Sequence, residues 1–250
     1  MKKITVLILA LVSVTVLVSC SGSKSGESSA AAAGTGNVRV MSYAEYSAAA
    51  LDTPVTVETY IQGRQSWWEG KATLYTQSED GAYFIYQMPC TAKEFETLTV
   101  GTKIRVSGKK SEWSGEIEIA DATFEILDGK FIAEPLDVTA LIGTDKLAAH
   151  QNELVKFENM TVEAKTDAAG NEVAFLYNWD GSGEEGDDLY FDASVNGNKV
   201  TFTVESYLCG PDTEVYKAVK SLKVGDTVDL TGFLYWYDGA NPHITDVSVK

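Results

Sequence analysis

The side chains in this sequence best suited to chemistry are aromatic. Gln62-Gly-Arg-Gln-Ser-Trp67-Trp68-Glu-Gly70 carries two tryptophans beside Arg64 and just ahead of Lys71. Lys109-Lys110-Ser-Glu-Trp113-Ser-Gly115 carries a third, and Trp179 and Tyr235-Trp236-Tyr237 supply the other two. These segments hold all 5 tryptophans of the chain. An exposed indole stacks on a nucleobase, and its flat face can equally meet a sugar ring. The same indole can instead plug the end of a small β structure, with its N–H bonded to a loop carbonyl. Arg64, Lys71, Lys109 and Lys110 would add local positive charge beside the first three tryptophans.

Other chemistries have less support. Asp180-Gly-Ser-Gly-Glu-Glu-Gly-Asp-Asp188 places flexible glycines between oxygen donors, and with Asn178 in front it opens like a calcium-binding helix–loop–helix loop. The twelfth position, where a bidentate Glu is required, is Leu189, so the segment reads as a solvated acidic loop and no metal ligands are assigned. His150 and His243 are the only histidines. No nucleophile elbow, zinc-protease motif, phosphate loop or dinucleotide fingerprint is present. The expectation is a protein that is not an enzyme, with no catalytic residues and no cofactor. Cys90 and Cys209 are either two separate buried thiols or one disulfide joining distant segments.

The charge is −16 for the whole chain. Strong acidity repels polyanions over long range, which argues against nucleic acid without excluding a local basic patch. Lys2 and Lys3 precede an apolar run from Ile4 to Val18, which is short of the roughly 20 apolar residues that span a bilayer. This is the pattern of a secretory signal peptide. Its ending, Leu17-Val18-Ser19-Cys20, resembles the lipobox of bacterial lipoproteins. That resemblance implies cleavage after residue 19, lipid on Cys20, and a place in the cell envelope. The anchor would lie on the outer side of the cytoplasmic membrane or in the outer membrane. Residues 20–36 are mostly Ser, Gly and Ala and read as a flexible tether.

The rest of the chain repeats itself. Val100-Gly101-x-x-Ile104-x-Val106-x-Gly108 recurs as Val224-Gly225-x-x-Val228-x-Leu230-x-Gly232. Gly115 and Gly239 keep the same spacing, and Ile119-Ala120-Asp121 and Ile244-Thr245-Asp246 follow one residue out of step. Two copies of one fold account for this order, with domains at 37–134 and 135–250. In the first copy, Ser42-x-x-Glu45 is a capping box opening a short helix. Val55–Ile61 alternates with period two, and Lys71–Thr76 and Ala82–Tyr86 read as a hairpin around Ser78-Glu79-Asp80-Gly81. A helix is expected over 92–98, then strands at Lys103–Val106 and Glu116–Ala120 joined by a loop through Lys109–Gly115. The second copy reads as strands Leu154–Val162, Leu189–Val195 and Val200–Tyr207, with a turn at Asn196-Gly197. A helix over 213–222 follows, and an insertion near 165–188 separates its first two strands.

Three strands, a helix and two strands resemble the OB-fold, the five-stranded Greek-key barrel that binds oligonucleotides and oligosaccharides. The sequence is similar to exported bacterial lipoproteins with tandem OB-folds. The resemblance implies an all-β protein of two tandem barrels. It also implies a ligand on the face of strands two and three of each barrel, between the loops joining strands one to two and four to five. The residues it points to are Arg64, Trp67, Trp68, Lys71, Trp113, Trp179, Tyr235 and Trp236. Function is then a lipid-anchored protein binding an oligosaccharide or an envelope protein partner. A single-stranded nucleic-acid binder and a structural module of an envelope complex are the alternatives.

Overall fold

The computed structural model describes residues 39–250, so Cys20 and the segments expected as leader and tether lie outside the described residues. The first barrel is built from β1 (Pro54–Arg64), β2 (Lys71–Ser78), β3 (Gly81–Pro89), β4 (Thr102–Trp113) and β5 (Glu116–Lys130). They close in the order β1-β2-β3-β5-β4, which is OB-fold connectivity. Along β1, Val55, Val57, Thr59 and Ile61 are buried while Thr56, Glu58 and Tyr60 between them are less covered, as a pleated strand with one buried face requires. Helix α1 (Tyr43–Ala48) opens with the expected capping box, and α2 (Ala92–Thr97) lies between β3 and β4.

After a short strand β6 (Leu136–Asp137), the second barrel uses β7 (Leu154–Glu163), β11 (Leu189–Val195), β12 (Asn198–Val204), β13 (Thr227–Phe233) and β14 (His243–Val249). β11 pairs with both β12 and β7, and β13 joins β14 to β7, so this sheet also closes. Helix α3 (Glu214–Ser221) again sits between the third and fourth barrel strands. The insertion forms a small hairpin, β8 (Lys165–Thr166) with β9 (Glu172–Val173), and β10 (Leu176–Tyr177) pairs with β11. The Asn196-Gly197 turn is as read, with positive φ at both residues.

The repeated glycines have a physical cause. Gly101 and Gly225 hold φ of +84° and +91° in the turn before the fourth strand, a region that costs other residues energy. A Cβ on Gly108 or Gly232 would meet backbone of the fifth strand, at 2.7 Å from Ala120 O and 2.2 Å from His243 O. Two features differ from the sequence reading. The loop expected at 109–115 is mostly strand: β4 and β5 pair out to Trp113 and Glu116, leaving only Ser114-Gly115 as a turn with positive φ at both residues. This is the tight hairpin geometry that matches strand twist. Lys110 is buried, and its Nζ donates to Tyr46 O, Ser47 O and Ala49 O at 3.0, 2.9 and 2.8 Å. A cation there satisfies carbonyls at the C-terminal end of α1, so Lys110 is no rim charge. The disulfide weighed above is not formed. Both thiols are free, Cys90 in the core of the first barrel and Cys209 in that of the second.

The barrels share a third core of Tyr75, Phe84 and Phe233. Tyr75 stacks on Phe233 at 4.4 Å between centroids and 12° between planes. A Cβ at Gly63 would lie 2.7 Å from the Phe233 ring, so the glycine in β1 admits the other barrel's aromatic.

The same junction buries Glu116, which accepts from the Trp236 N–H at 2.9 Å and Gln151 Nε2 at 3.1 Å. Burial, the largest cause, pushes its pKa up to about 8 despite those bonds. Glu116 Oε1 is buried without a hydrogen-bond partner, a setting that disfavours the ionised carboxylate. In the unfolded chain Glu116 ionises near its ordinary 4.5. The folded state therefore keeps the proton between 4.5 and about 8, and the stability gained is full below that window and lost as pH rises through it. Glu116→Gln should flatten this decline, by on the order of 4 kcal/mol at most. Urea midpoints at about pH 5 and about pH 8 measure it, and an equal decline in both proteins would contradict the assignment.

Candidate ligand groove

A cleft of about 1100 Å³ lies on the β11–β12 face of the second barrel. Its floor includes Tyr190 and Thr201, the outward residues of those strands. Its walls come from three separate segments: Trp179 from the insertion, Tyr235 and Tyr237 from the β13–β14 connection, and Trp113 from the hairpin tip of the first barrel. Trp179, Trp113 and Tyr237 are 74%, 61% and 54% exposed. Rings used as core plugs are covered, so this exposure separates them from the packing role. A second cleft, about 290 Å³, lies on the β2–β3 face of the first barrel, with Trp68, Lys71 and Tyr86 in its lining. It is the smaller because Tyr75 and Phe84, outward residues of the same face, are covered at the barrel junction.

The two clefts share Glu205, Tyr235 and His243. Tyr235 stacks on His243 at 4.2 Å between centroids and meets Phe84 edge-on at 5.3 Å. The Tyr75 hydroxyl and His243 Nδ1 share a hydrogen bond of 2.6 Å, and Gln65 Nε2 donates to Glu205 Oε1 at 2.7 Å. The wall between the clefts is thus pinned from both barrels.

Lys71, Lys165 and Lys199 face Asp188, Glu205 and Asp238. Charge in the clefts leans acidic, because a fourth carboxylate, Asp192, takes up two of the three lysines. Lys165 and Lys199 both bond Asp192, at 3.0 and 2.9 Å. Burial works against ionisation of Asp192, but bonds from Lys199, Lys165 and Thr201 outweigh it and hold its carboxyl below the ordinary value. Neither lysine is a free cation.

Of the residues singled out by sequence, Trp68, Lys71, Trp113, Trp179 and Tyr235 line the clefts, and Arg64, Trp67 and Trp236 do not. The Arg64 guanidinium lies 4.1 Å over the Phe95 ring and donates to Phe95 O and Leu98 O, so it finishes α2. Trp67 donates its indole N–H to Cys90 O at 3.1 Å. Trp236 packs on Gly115, where a Cβ would sit 2.7 Å from its ring. Lys109 pairs with Asp52 at 3.2 Å. Tyr86, Tyr190 and Thr201 escaped the sequence reading although strand alternation places them on the binding faces. Glu205 and His243 left no such signal, because barrel packing brings them to the groove.

Among the described residues no group of three or more His, Cys, Asp or Glu is arranged to hold a metal ion. Several carboxylates of the acidic loop are already engaged: Asp180 accepts from Ser182 N at 3.0 Å, Asp187 from Glu184 N at 2.9 Å and Asp188 from Ser206 N at 2.8 Å, and Glu185 pairs with Lys220 of α3.

No family model matches the chain, and no curated protein matches it. Among solved structures it is similar to a HINa domain in complex with 20bp dsDNA, with TM-score 0.33, 14% identity, and 80% of this chain and 96% of that one covered. It is similar to a murine DNA binding protein bound with ds DNA, with TM-score 0.35, 11% identity and coverage of 78% and 94%. A replication protein A heterotrimer bound to ssDNA gives TM-score 0.30, 9% identity and coverage of 79% and 49%. Likeness at this level carries no argument about a ligand, and the OB-fold assignment rests on the strand order.

Proposed function

We propose that this chain is a non-enzymatic binding protein that holds a neutral oligosaccharide in the cleft of its second barrel. The observation that carries the reading is the ring set Trp113, Trp179 and Tyr237, exposed around one cleft. Flat aromatic faces cover the apolar face of a sugar, while Asn198, Thr201 and Asn241, in the same lining, can exchange hydrogen bonds with its hydroxyls. The carboxylates left over once Asp192 has taken Lys165 and Lys199 disfavour an anionic ligand. The leader and lipobox pattern supports a lipid on Cys20 and a place in the bacterial cell envelope; an unmodified Cys20 in the mass of the mature N-terminus would remove that part.

Single-stranded nucleic acid is the second reading, because the same rings can stack on bases. Against it stand the −16 charge of the chain and the pairing of Lys165 and Lys199 with Asp192. A polyanion would have to meet Asp188, Glu205 and Asp238 without a free cationic track.

Tryptophan fluorescence titrated with α-1,4-, β-1,4- and β-1,3-linked gluco-oligosaccharides, and in parallel with oligothymidylate, separates the readings. We expect saturable quenching by an oligosaccharide and a loss of about tenfold in affinity for Trp179→Ala, the scale of one aromatic contact. Salt-sensitive binding of oligothymidylate alone would overturn the glycan reading in favour of nucleic acid. Silence to both would overturn both and leave a structural or protein-binding role.

A further inference from the structure

We propose that the two clefts form one groove, which takes the interior of an unbranched neutral glycan rather than its end. The inference rests on the glycan reading of the second cleft and extends it across the barrel junction. Its ground is the shared wall: Glu205, Tyr235 and His243 face both clefts. Tyr235 lines both clefts and serves the groove as a platform common to both. It is held rigid by His243 behind it and by the edge of Phe84, so the passage does not depend on a moving side chain.

Aromatic platforms continue on each side. Trp68, 59% exposed, and Tyr86, 42% exposed, line the first cleft. Tyr237, Trp179 and Trp113 line the second. Amide side chains accompany the rings in both, Gln65 and Gln87 in the first and Asn198 and Asn241 in the second. A repeating ligand meets a repeating surface.

The junction also has an unmet need. Glu205 Oε2 is buried with no hydrogen-bond partner. Its neighbour His243 Nδ1, 3.4 Å away, is already engaged by the Tyr75 hydroxyl at 2.6 Å. The other Glu205 oxygen, Oε1, accepts from Gln65 Nε2 at 2.7 Å, so the Glu205 carboxylate is held within the junction and places negative charge beside the groove, which disfavours a phosphodiester.

Isothermal titration of the folded protein with a disaccharide and a hexasaccharide of each glucan linkage tests the inference. Wild type should bind the hexasaccharide of the accepted linkage at least about tenfold tighter than the disaccharide. Trp68→Ala, an exposed position, should bring that ratio close to one. Equal affinity for both lengths in wild type, or an unchanged ratio in Trp68→Ala, would overturn the continuous groove while leaving the second-cleft reading intact. No binding of any oligosaccharide at either length would overturn the glycan reading itself and this inference with it.

Discussion

The face of Tyr75 lies on Phe233 at 4.4 Å between centroids, while its hydroxyl meets His243 Nδ1 at 2.6 Å. This double contact constrains the angle between the barrels in two ways. Stacking limits tilt and separation, and the hydrogen bond limits rotation about the stack. Because Tyr75 stands on the outward face of β2, the contact also decides which part of the first barrel's binding face is covered and which stays open. Gly63 permits it by offering Phe233 bare backbone. The result is one unit in which both barrels belong to the same body, and the two clefts share a wall.

The buried carboxyl of Glu116 sits at the same junction and shows what the arrangement costs. A group pushed up to about 8 by burial is held neutral in the folded protein over part of the ordinary pH range. Its partners, the Trp236 backbone and Gln151, come from the second barrel and its approach. Natural cores avoid such groups unless polar satisfaction compensates. Here the compensation is orientation: the carboxyl fixes the start of the Tyr235-Trp236-Tyr237 segment, whose two tyrosines line the groove. Trp236 itself turns away onto Gly115.

Much of this was legible in the sequence because it follows from local rules. Period-two alternation located β1, the Asn196-Gly197 dipeptide located a hairpin, and Ser42 with Glu45 located a cap. The repeat, with glycines that now have steric reasons, announced two copies of one barrel. What escaped depends on contacts between distant segments. Lys110 reads as a surface lysine until α1 is seen to end over it, and Arg64 reads as a rim cation until Phe95 and α2 arrive beneath it. Trp67 and Trp68 are adjacent and chemically identical, and only the fold assigns one to the Cys90 carbonyl and the other to a cleft. The reach of β4 and β5 to Trp113 was missed because the polar run Lys109-Lys110-Ser111-Glu112 lacks strand-forming residues. Pairing with Glu116–Ala120 overrides that local preference.

The central claim, that a glycan chain lies along the aromatic face shared by both barrels, is tested most directly by the indole N–H signals in a nitrogen–proton spectrum. The chain has 5 tryptophans, and each gives one such signal. Titration with the glucan hexasaccharide that binds should shift the signals of Trp68, Trp113 and Trp179 and leave those of Trp67 and Trp236 in place. Shifts confined to Trp67 and Trp236, or spread equally over all five, would contradict the account.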